Sequence, residues 1–437
     1  MKLLLVIPYD YLYKYKKGYN KLISYEPLTL SVLAALVPQE YDIDITIVDE
    51  GMERTDYMQE NYDIVGISVV TSAAKRAYEL ARYFKEKGSY IVMGGHHVTL
   101  LPKEAEQYAD TIFIGRSERT WPQFIDDYIK SVPKKVYIQE NKAEECINFP
   151  LPRRDLIKRG NYLKQPVIIA NQSCTNGCDF CSISNFHNNC AAKRPIVNVI
   201  EEIKSLKTRN FIFLDPNQYA DKEYAKELYR ELSKLNIRWV ALATNNITED
   251  DEMLNLMVKA GCRGLFIGFE TLNQKNINNI GKRVNKVKDY KKTIEKLHNL
   301  NIAVTGSFIL GLDSDTKKSL LALPEQIAEL KLDFCRFGIL CPTPNTPIYH
   351  KLEGENRILT KDWSLYDSMH CVYQPKNMEP QELEEIFLQV WKECYTYKKI
   401  IKRVFHTPNF KLIKLLGGIG FRRYIKRLEE VLEGSEN

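Results

Sequence analysis

Within the stretch QSCTNGCDFCS, Gln172 to Ser182, three cysteines stand at Cys174, Cys178 and Cys181. The ten cysteines of the chain make up about 2% of it, too few for a disulfide scaffold, so a cluster of this kind reads as a metal site. A structural zinc ion wants four ligands in a tetrahedron. The loop supplies three, and Cys190, nine residues past Cys181, could complete such a set. An iron–sulfur cluster held by three thiolates would instead keep one iron open for a substrate or cofactor.

Either centre needs a scaffold to hold the loop, and the hydrophobic pattern describes two. Up to about residue 130, strand-like runs at 2–7, 42–49, 63–68, 90–95 and 111–115 alternate with helical ones. That pattern predicts an α/β, doubly wound parallel sheet of the flavodoxin or Rossmann type, with ligands beyond the carboxyl ends of its strands. A Pro-containing stretch over 131–165 reads as a linker. A second alternating series follows, with strands at 167–172, 211–215, 239–244, 264–270, 303–311 and 333–342. Six units are too few for a closed eight-fold barrel and predict a partial (β/α)6 barrel over 166–345, the cysteine loop following its first strand. Residues 346–437 read as helical, and there is no internal repeat.

The chain has 437 residues, 44% of them hydrophobic, and a net charge of +6. Thr396 to Arg427 holds ten Lys or Arg and no Asp or Glu, so the basic character is local. That argues against a general nucleic-acid surface. The interleaved segment FKLIKLLGGIGFRRYIKRL within it offers a peripheral contact to an anionic membrane, set against the plainer reading of a docked helix with a solvated face. No apolar run approaches the roughly 18 residues that span a bilayer, and Leu3 to Ile7 is too short for a secretory core. A cytoplasmic protein is expected.

With Phe180 just before its last cysteine, at the opening of a partial barrel, the CxxxCxxC loop resembles the signature of the radical S-adenosylmethionine superfamily. The segments FLDPNQYAD, AGCRGLFIGFET, TGSFILGLDSDT and PTPNTPIY resemble its cobalamin-dependent branch, which includes hopanoid methylases. In the N-terminal half, PLTLSVLAAL, DIVGIS, MGGHHVTLLP and ADTIFIGRSERTWPQFIDD resemble that branch's cobalamin-binding domain. The likeness covers about residues 1–350. It implies a cobalamin domain over 1–130 and a radical barrel over 166–345. It also implies a 4Fe–4S cluster on Cys174, Cys178 and Cys181, whose open iron chelates S-adenosylmethionine and delivers one electron to its sulfonium. Cofactors of this kind carry chemistry that no side chain performs.

The resemblance implies S-adenosylmethionine contacts at Phe180 and at the strand-end residues Asp215, Asn217, Thr244 and Glu270, with Ser307 a further candidate. Each alone could equally cap a helix or pack a loop; Glu270 stands out because a carboxylate there is costly to bury unpaired. For cobalamin it implies the first domain's strand ends: Tyr9, Ser68, Thr71, Gly94, Gly95, His96, Gly115 and Glu118. His97 accompanies His96, and Tyr11, Tyr13, Tyr15 and Tyr19 crowd the same first loop as Tyr9. Two departures stand out. Where a DxHxxG motif would supply a histidine to cobalt, the chain has Asp10 and then Leu12, so no such ligand is expected. Arg116 occupies a position where relatives have an acid.

These features favour a cobalamin-dependent radical methyltransferase working on an unactivated carbon of a small molecule or lipid, fed electrons by a flavodoxin or ferredoxin. A non-methylating cyclisation or rearrangement would use the same cofactors. Methylthiolation of transfer RNA, by a related family, is disfavoured: it needs a second cluster in the N-terminal domain, and the first cysteine of the chain is Cys146, beyond residue 130, so that domain has no thiolate to offer. From another class, a zinc-binding interaction module would use the three cysteines as scaffold.

Overall fold

The structure is a computed structural model that describes residues 1–10, 24–52, 56–139, 145–146, 149–158, 160, 162–172, 174–183, 192–407 and 409–432. It divides into two compact units, one of Met1–Ile168, Asn185–Ser205 and Asp362–Asp367, the other of Ile169–Ser184, Leu206–Lys361 and Ser368–Asn437.

The first unit is built on six parallel strands: Lys2–Ile7 (β1), Asp44–Asp49 (β2), Ile64–Ser68 (β3), Tyr90–Gly94 (β4), Thr111–Gly115 (β5) and Val136–Gln139 (β6), in the order β2-β1-β3-β4-β5-β6. Successive residues of β1 feed opposite layers, as a two-residue period requires. Leu4 and Val6 join Val65, Ile67, Leu80 and Phe84 on one face, while Leu3 and Leu5 join Ile64, Phe113, Trp121 and Phe124 on the other. A sheet covered on both faces needs continuous apolar strands, which is why KLLLVI and DIVGIS are legible in the sequence. The four-residue β6 lies inside the stretch read as linker. It is too short to show a period of its own, and its place follows from pairing with β5.

Three short strands come next: Glu145–Cys146 (β7), Val167–Ile168 (β8) and Ala192–Lys193 (β9), of which β7 and β9 pair in parallel. The second sheet continues with Asn210–Phe213 (β10), Arg238–Ala243 (β11), Cys262–Glu270 (β12), Ala303–Leu310 (β13) and Phe334–Ile339 (β14), in the order β14-β13-β12-β11-β10-β8. Strand order follows chain order, and β14 and β8 are edges, so the barrel is open. Where the pattern predicts a strand over 167–172, β8 has two residues. Beyond it Ala170 N–H donates to the Asp215 carboxylate at 2.7 Å instead of joining a ladder.

After β14 the chain is mainly helical, at Pro347–Gly354, Pro380–Cys394, Tyr397–His406 and Lys411–Leu432. The buried Trp391 ring anchors this region, edge-on to Phe337 at 5.2 Å and beside Phe421 at 5.8 Å and Tyr424 at 5.4 Å. Among the described residues no helix is long and apolar enough to cross a membrane.

Candidate functional site

The cysteine loop follows β8 and is held from both sides. Asp179 N–H donates to the Ile280 carbonyl at 3.1 Å, and Ile348 N–H donates to the Asp179 carbonyl at 3.1 Å. Gly281 makes this approach possible: its φ is +68°, and a Cβ there would stand 2.9 Å from an Asp179 carboxylate oxygen. Within the loop Cys181 N–H donates to the Cys178 carbonyl at 3.1 Å. Cys178 is buried, Cys174 and Cys181 are half-buried, and all three are free thiols. Burial pushes the Cys178 thiol up to about 12 and raises Cys174 as well. The Lys282 ammonium lies close enough to Cys174 and Cys178 to interact with them electrostatically.

Among the described residues no three Cys, His, Asp or Glu side chains are gathered into a metal-holding arrangement. As a donor set, three thiols on one loop beside a buried cation suit a thiolate-held cluster, because the cation offsets part of the thiolates' charge. Cys190 lies outside the described residues, as do the side chain of Cys146 and the first-loop residues Tyr11, Leu12, Tyr13, Tyr15 and Tyr19.

Lys282 was not legible in the sequence, where it is one of many lysines. Its Nζ donates to Glu270 Oε1 and, at 2.9 Å, to the Gly268 carbonyl. Both side chains of this ion pair are only 8% exposed. Burial alone would lower the Lys282 pKa, but Glu270 and the neighbouring thiols raise it further and hold the ammonium charged.

Glu270 ends β12 with a φ of +64°, and the β12–β13 register shifts between Gly268 and Glu270. A left-handed glutamate costs roughly 1–2 kcal/mol, and hydrogen bonds at the strand end hold it there. Asn285 Nδ2 donates to the Gly268 and Phe269 carbonyls at 2.9 and 3.2 Å, and Tyr290 donates to the Phe269 carbonyl at 2.7 Å. A Cβ at position 268 would collide with both partners of the ion pair.

The other barrel residues fall into two groups. Asp215, Asn217 and Thr244 come together. Asp215 accepts from Ala170 N–H, from Asn171 Nδ2 at 3.0 Å and from Gln218 Nε2 at 2.8 Å, so its carboxylate sets the path of the chain into the cysteine loop. Asn217 Oδ1 accepts from Tyr219 N–H at 3.0 Å and lies 3.4 Å from Thr244 Oγ1. Phe180 sits half-buried in the cysteine loop itself. Ser307, half-buried in β13 and in register with Gly268, faces away from the buried Val304, Phe308 and Leu310.

In the first unit the strand ends carry a second constellation around the switch point between β1 and β3, where ligands of such sheets bind. Tyr9 N–H lies 3.4 Å from Glu50 Oε2, and the Arg76 guanidinium stands 5.3 Å over the Tyr9 ring. Glu50, which sequence reasoning passed over, is buried and accepts from Arg76 Nε at 3.0 Å, Arg76 Nη2 at 2.7 Å and the Tyr57 hydroxyl at 2.5 Å. Ser68 is half-buried at the end of β3, and Thr71 Oγ1 lies 3.4 Å from His97 Nδ1. His97 is fully buried, with Nε2 3.0 Å from the Tyr78 hydroxyl and 3.5 Å from Glu104, so it belongs to the core. His96 remains half-buried at the turn, and burial lowers its pKa and keeps the ring neutral. Glu118 accepts from Gln139 Nε2 at 3.3 Å, and Arg116 is 4% exposed.

Gly95 and Gly115 have conformations that side chains resist. Gly115 has φ +80°, and a Cβ there would stand 2.6 Å from the Gln139 carbonyl oxygen. Gly95 has φ +101° and ψ −173°, and a Cβ there would lie 2.8 Å from both Val69 N and Val69 O. Gly94 has no such constraint: its added Cβ meets only Phe113 Cβ at 3.4 Å. Gly95→Ala is therefore expected to cost about 1–3 kcal/mol and to displace the β3 and β4 ends. Thermal unfolding and cobalamin retention on gel filtration should both fall, with Gly94→Ala the milder control. Unchanged retention in Gly95→Ala would separate this turn from ligand binding.

The chain matches the B12 binding domain family over residues 24–125 and the Radical SAM superfamily over residues 168–327. It is 29% identical over 394 residues to bacteriochlorophyllide d C-12(1)-methyltransferase of Chlorobaculum tepidum, covering 87% of this chain and 85% of that one. It is 27% identical over 416 residues to the C-8(2)-methyltransferase of the same organism, covering 91% of each. Among solved structures, the radical S-adenosylmethionine methyltransferase TsrM of Kitasatospora setae, with cobalamin and a 4Fe–4S cluster bound, matches with a TM-score of 0.68 over 99% of both chains. Identity there is 14%, so that likeness concerns the fold.

Proposed function

We propose, on the premise of a B12 binding domain joined to a Radical SAM domain, that this chain is a cobalamin-dependent radical S-adenosylmethionine enzyme that methylates an unactivated carbon of a small-molecule or lipid substrate. The observation that carries the reading is the joining of a B12 binding domain to a radical domain whose first loop bears three free thiols. The named methyltransferases that the chain resembles over most of its length support it. The zinc-module reading is set aside by the radical domain match over 168–327.

When bound, a 4Fe–4S cluster with S-adenosylmethionine supplies one-electron hydrogen abstraction, and cobalamin supplies the methyl group. In this proposal Cys174, Cys178 and Cys181 hold the cluster, and Lys282 offsets their charge. Glu270 presents a carboxylate beside them, and Phe180, Asn217, Thr244 and Ser307 flank the S-adenosylmethionine, with Asp215 holding the loop in place. Tyr9, Ser68, Thr71, Gly94, Gly95, His96, Gly115 and Glu118 border cobalamin, with no DxHxxG histidine on cobalt. The working regions are 1–130 for cobalamin, with the Val136–Gln139 strand completing its sheet, the rest of 131–165 as connection, 166–345 for the radical barrel and 346–437 for the helical remainder. Reduced flavodoxin or ferredoxin in the cytoplasm would supply electrons.

The test is stoichiometry under strict exclusion of oxygen. Each methylated product should accompany one S-adenosylmethionine that has lost its methyl and a second cleaved to deoxyadenosine. Deoxyadenosine formed with a product lacking an added methyl would overturn methyl transfer and leave the cyclisation or rearrangement reading standing.

A further inference from the structure

The last two long helices, Tyr397–His406 and Lys411–Leu432, form a pair whose inner side is docked. Ile400 and Arg403 are buried on the first. On the second, a Cβ at Gly417 would stand 2.6 Å from the Phe334 ring and one at Gly418 would stand 2.8 Å from Ile400, so small residues admit the close approach. The outer side is apolar and open. Tyr397, Ile401 and Phe405 recur every fourth residue and are 65%, 55% and 70% exposed. Leu412, Leu416 and Ile419 repeat the pattern on the second helix, the first two at 66% and 60%.

The two stripes adjoin at both ends. Lys411 lies 5.7 Å from the Phe405 ring, and the Arg422 guanidinium lies 4.2 Å over the Tyr397 ring. Single exposed apolar residues are ordinary, but a contiguous face of this kind marks an interaction site.

Charge identifies the occupant. Thr396 to Arg427 carries ten cations and no acid, and Lys398, Lys402, Lys411 and Arg423 are exposed. At the turn, burial and then Lys402, Arg403, Lys331 and Lys414 push the His406 imidazole down to about 4. A second copy of this chain would bring like charges together. A transient acidic protein partner would meet a polar rim rather than two aliphatic and aromatic stripes. Long apolar side chains flanked by flexible cations are the composition of a helix lying in a bilayer interface.

We propose that this helical pair docks the enzyme on an anionic lipid surface, with Phe405, Leu412 and Leu416 entering the headgroup–acyl boundary while Lys402 and Arg423 meet lipid phosphates. This surface is independent of the reaction assigned above, so its test needs no turnover. The full-length protein is sedimented with vesicles of phosphatidylcholine alone or of phosphatidylcholine mixed with phosphatidylglycerol. Binding is expected only to the second, and it should weaken as salt is raised.

Joint Phe405→Ser, Leu412→Ser and Leu416→Ser substitution should reduce partitioning roughly a hundredfold. Lys402→Glu with Arg423→Glu should do so by a similar factor. All five positions are exposed, and an unchanged melting temperature verifies the fold of each variant. Absence of binding to phosphatidylglycerol vesicles would overturn the proposal, as would undiminished binding by both variants. A mass of two chains in light scattering that falls to one in the apolar variant would assign the face to a second copy and overturn it likewise.

Discussion

Replacing Cys174, Cys178 and Cys181 together with alanine is expected to give a folded protein that retains added cobalamin but holds no iron or sulfide and forms no deoxyadenosine. The loop's anchors are the Asp179 backbone bonds and the Asp215 network, which the substitutions leave in place. The fold should survive. Cluster assembly should not, since the thiolates are its ligands. Iron and sulfide analysis, the visible spectrum after anaerobic reconstitution and deoxyadenosine formation read the three consequences separately. Unimpaired deoxyadenosine formation in the triple variant would sink the assignment of the cluster to this loop.

Lys282→Met is expected to produce the largest loss of stability from a single change. It leaves the Glu270 carboxylate buried without its ammonium partner, and breaking a buried pair from one side costs about 3–5 kcal/mol. In a unit of this size that lowers the melting temperature by roughly 10 °C. Glu270→Gln removes the other half and leaves the buried ammonium without its carboxylate partner. Glu270→Gln with Lys282→Met should lose less than the sum of the single changes, because neither charge is then stranded. The double variant separates roles: if the pair serves the cofactor, stability is partly restored while S-adenosylmethionine cleavage stays low. Differential scanning calorimetry of the four proteins closes the cycle. Additive losses would show that the two side chains do not act as a pair.

Much of the architecture was legible because each local signal agreed with the global one. KLLLVI, DIVGIS and YIVMGG are largely apolar, which is what strands buried on both faces require, and the parallel arrangement of five of the six strands of the first sheet follows from their alternation with helices. The barrel strands were found for the same reason. Val136–Gln139 was missed because four residues carry no period, and the strand predicted over 167–172 was overlong because its second half bonds to a side chain.

Site residues divide by whether their role is local. The two histidines at 96 and 97 are chemically identical in the sequence. Only packing separates the buried His97, next to Tyr78 and Glu104, from the half-buried His96 at the turn. Glu50 and Arg76 are 26 residues apart and become a pair only when the end of β2 meets the helix after β3.

The amino-acid sequence by itself determined that the loop holds a metal centre, because three thiols within eight residues can share one site without a distant partner; the choice of an iron–sulfur cluster over zinc came with the resemblance of the loop and of the later segments to the radical S-adenosylmethionine superfamily. What the tertiary structure alone decided is the electrostatic setting of that centre. Lys282 reaches Glu270 from twelve residues away, and both stand by the thiols through the docking of the loop on Ile280 and Gly281. A buried charge is tolerated only where the fold supplies its counter-charge, and neither spacing nor composition records which of many lysines the fold brings inside.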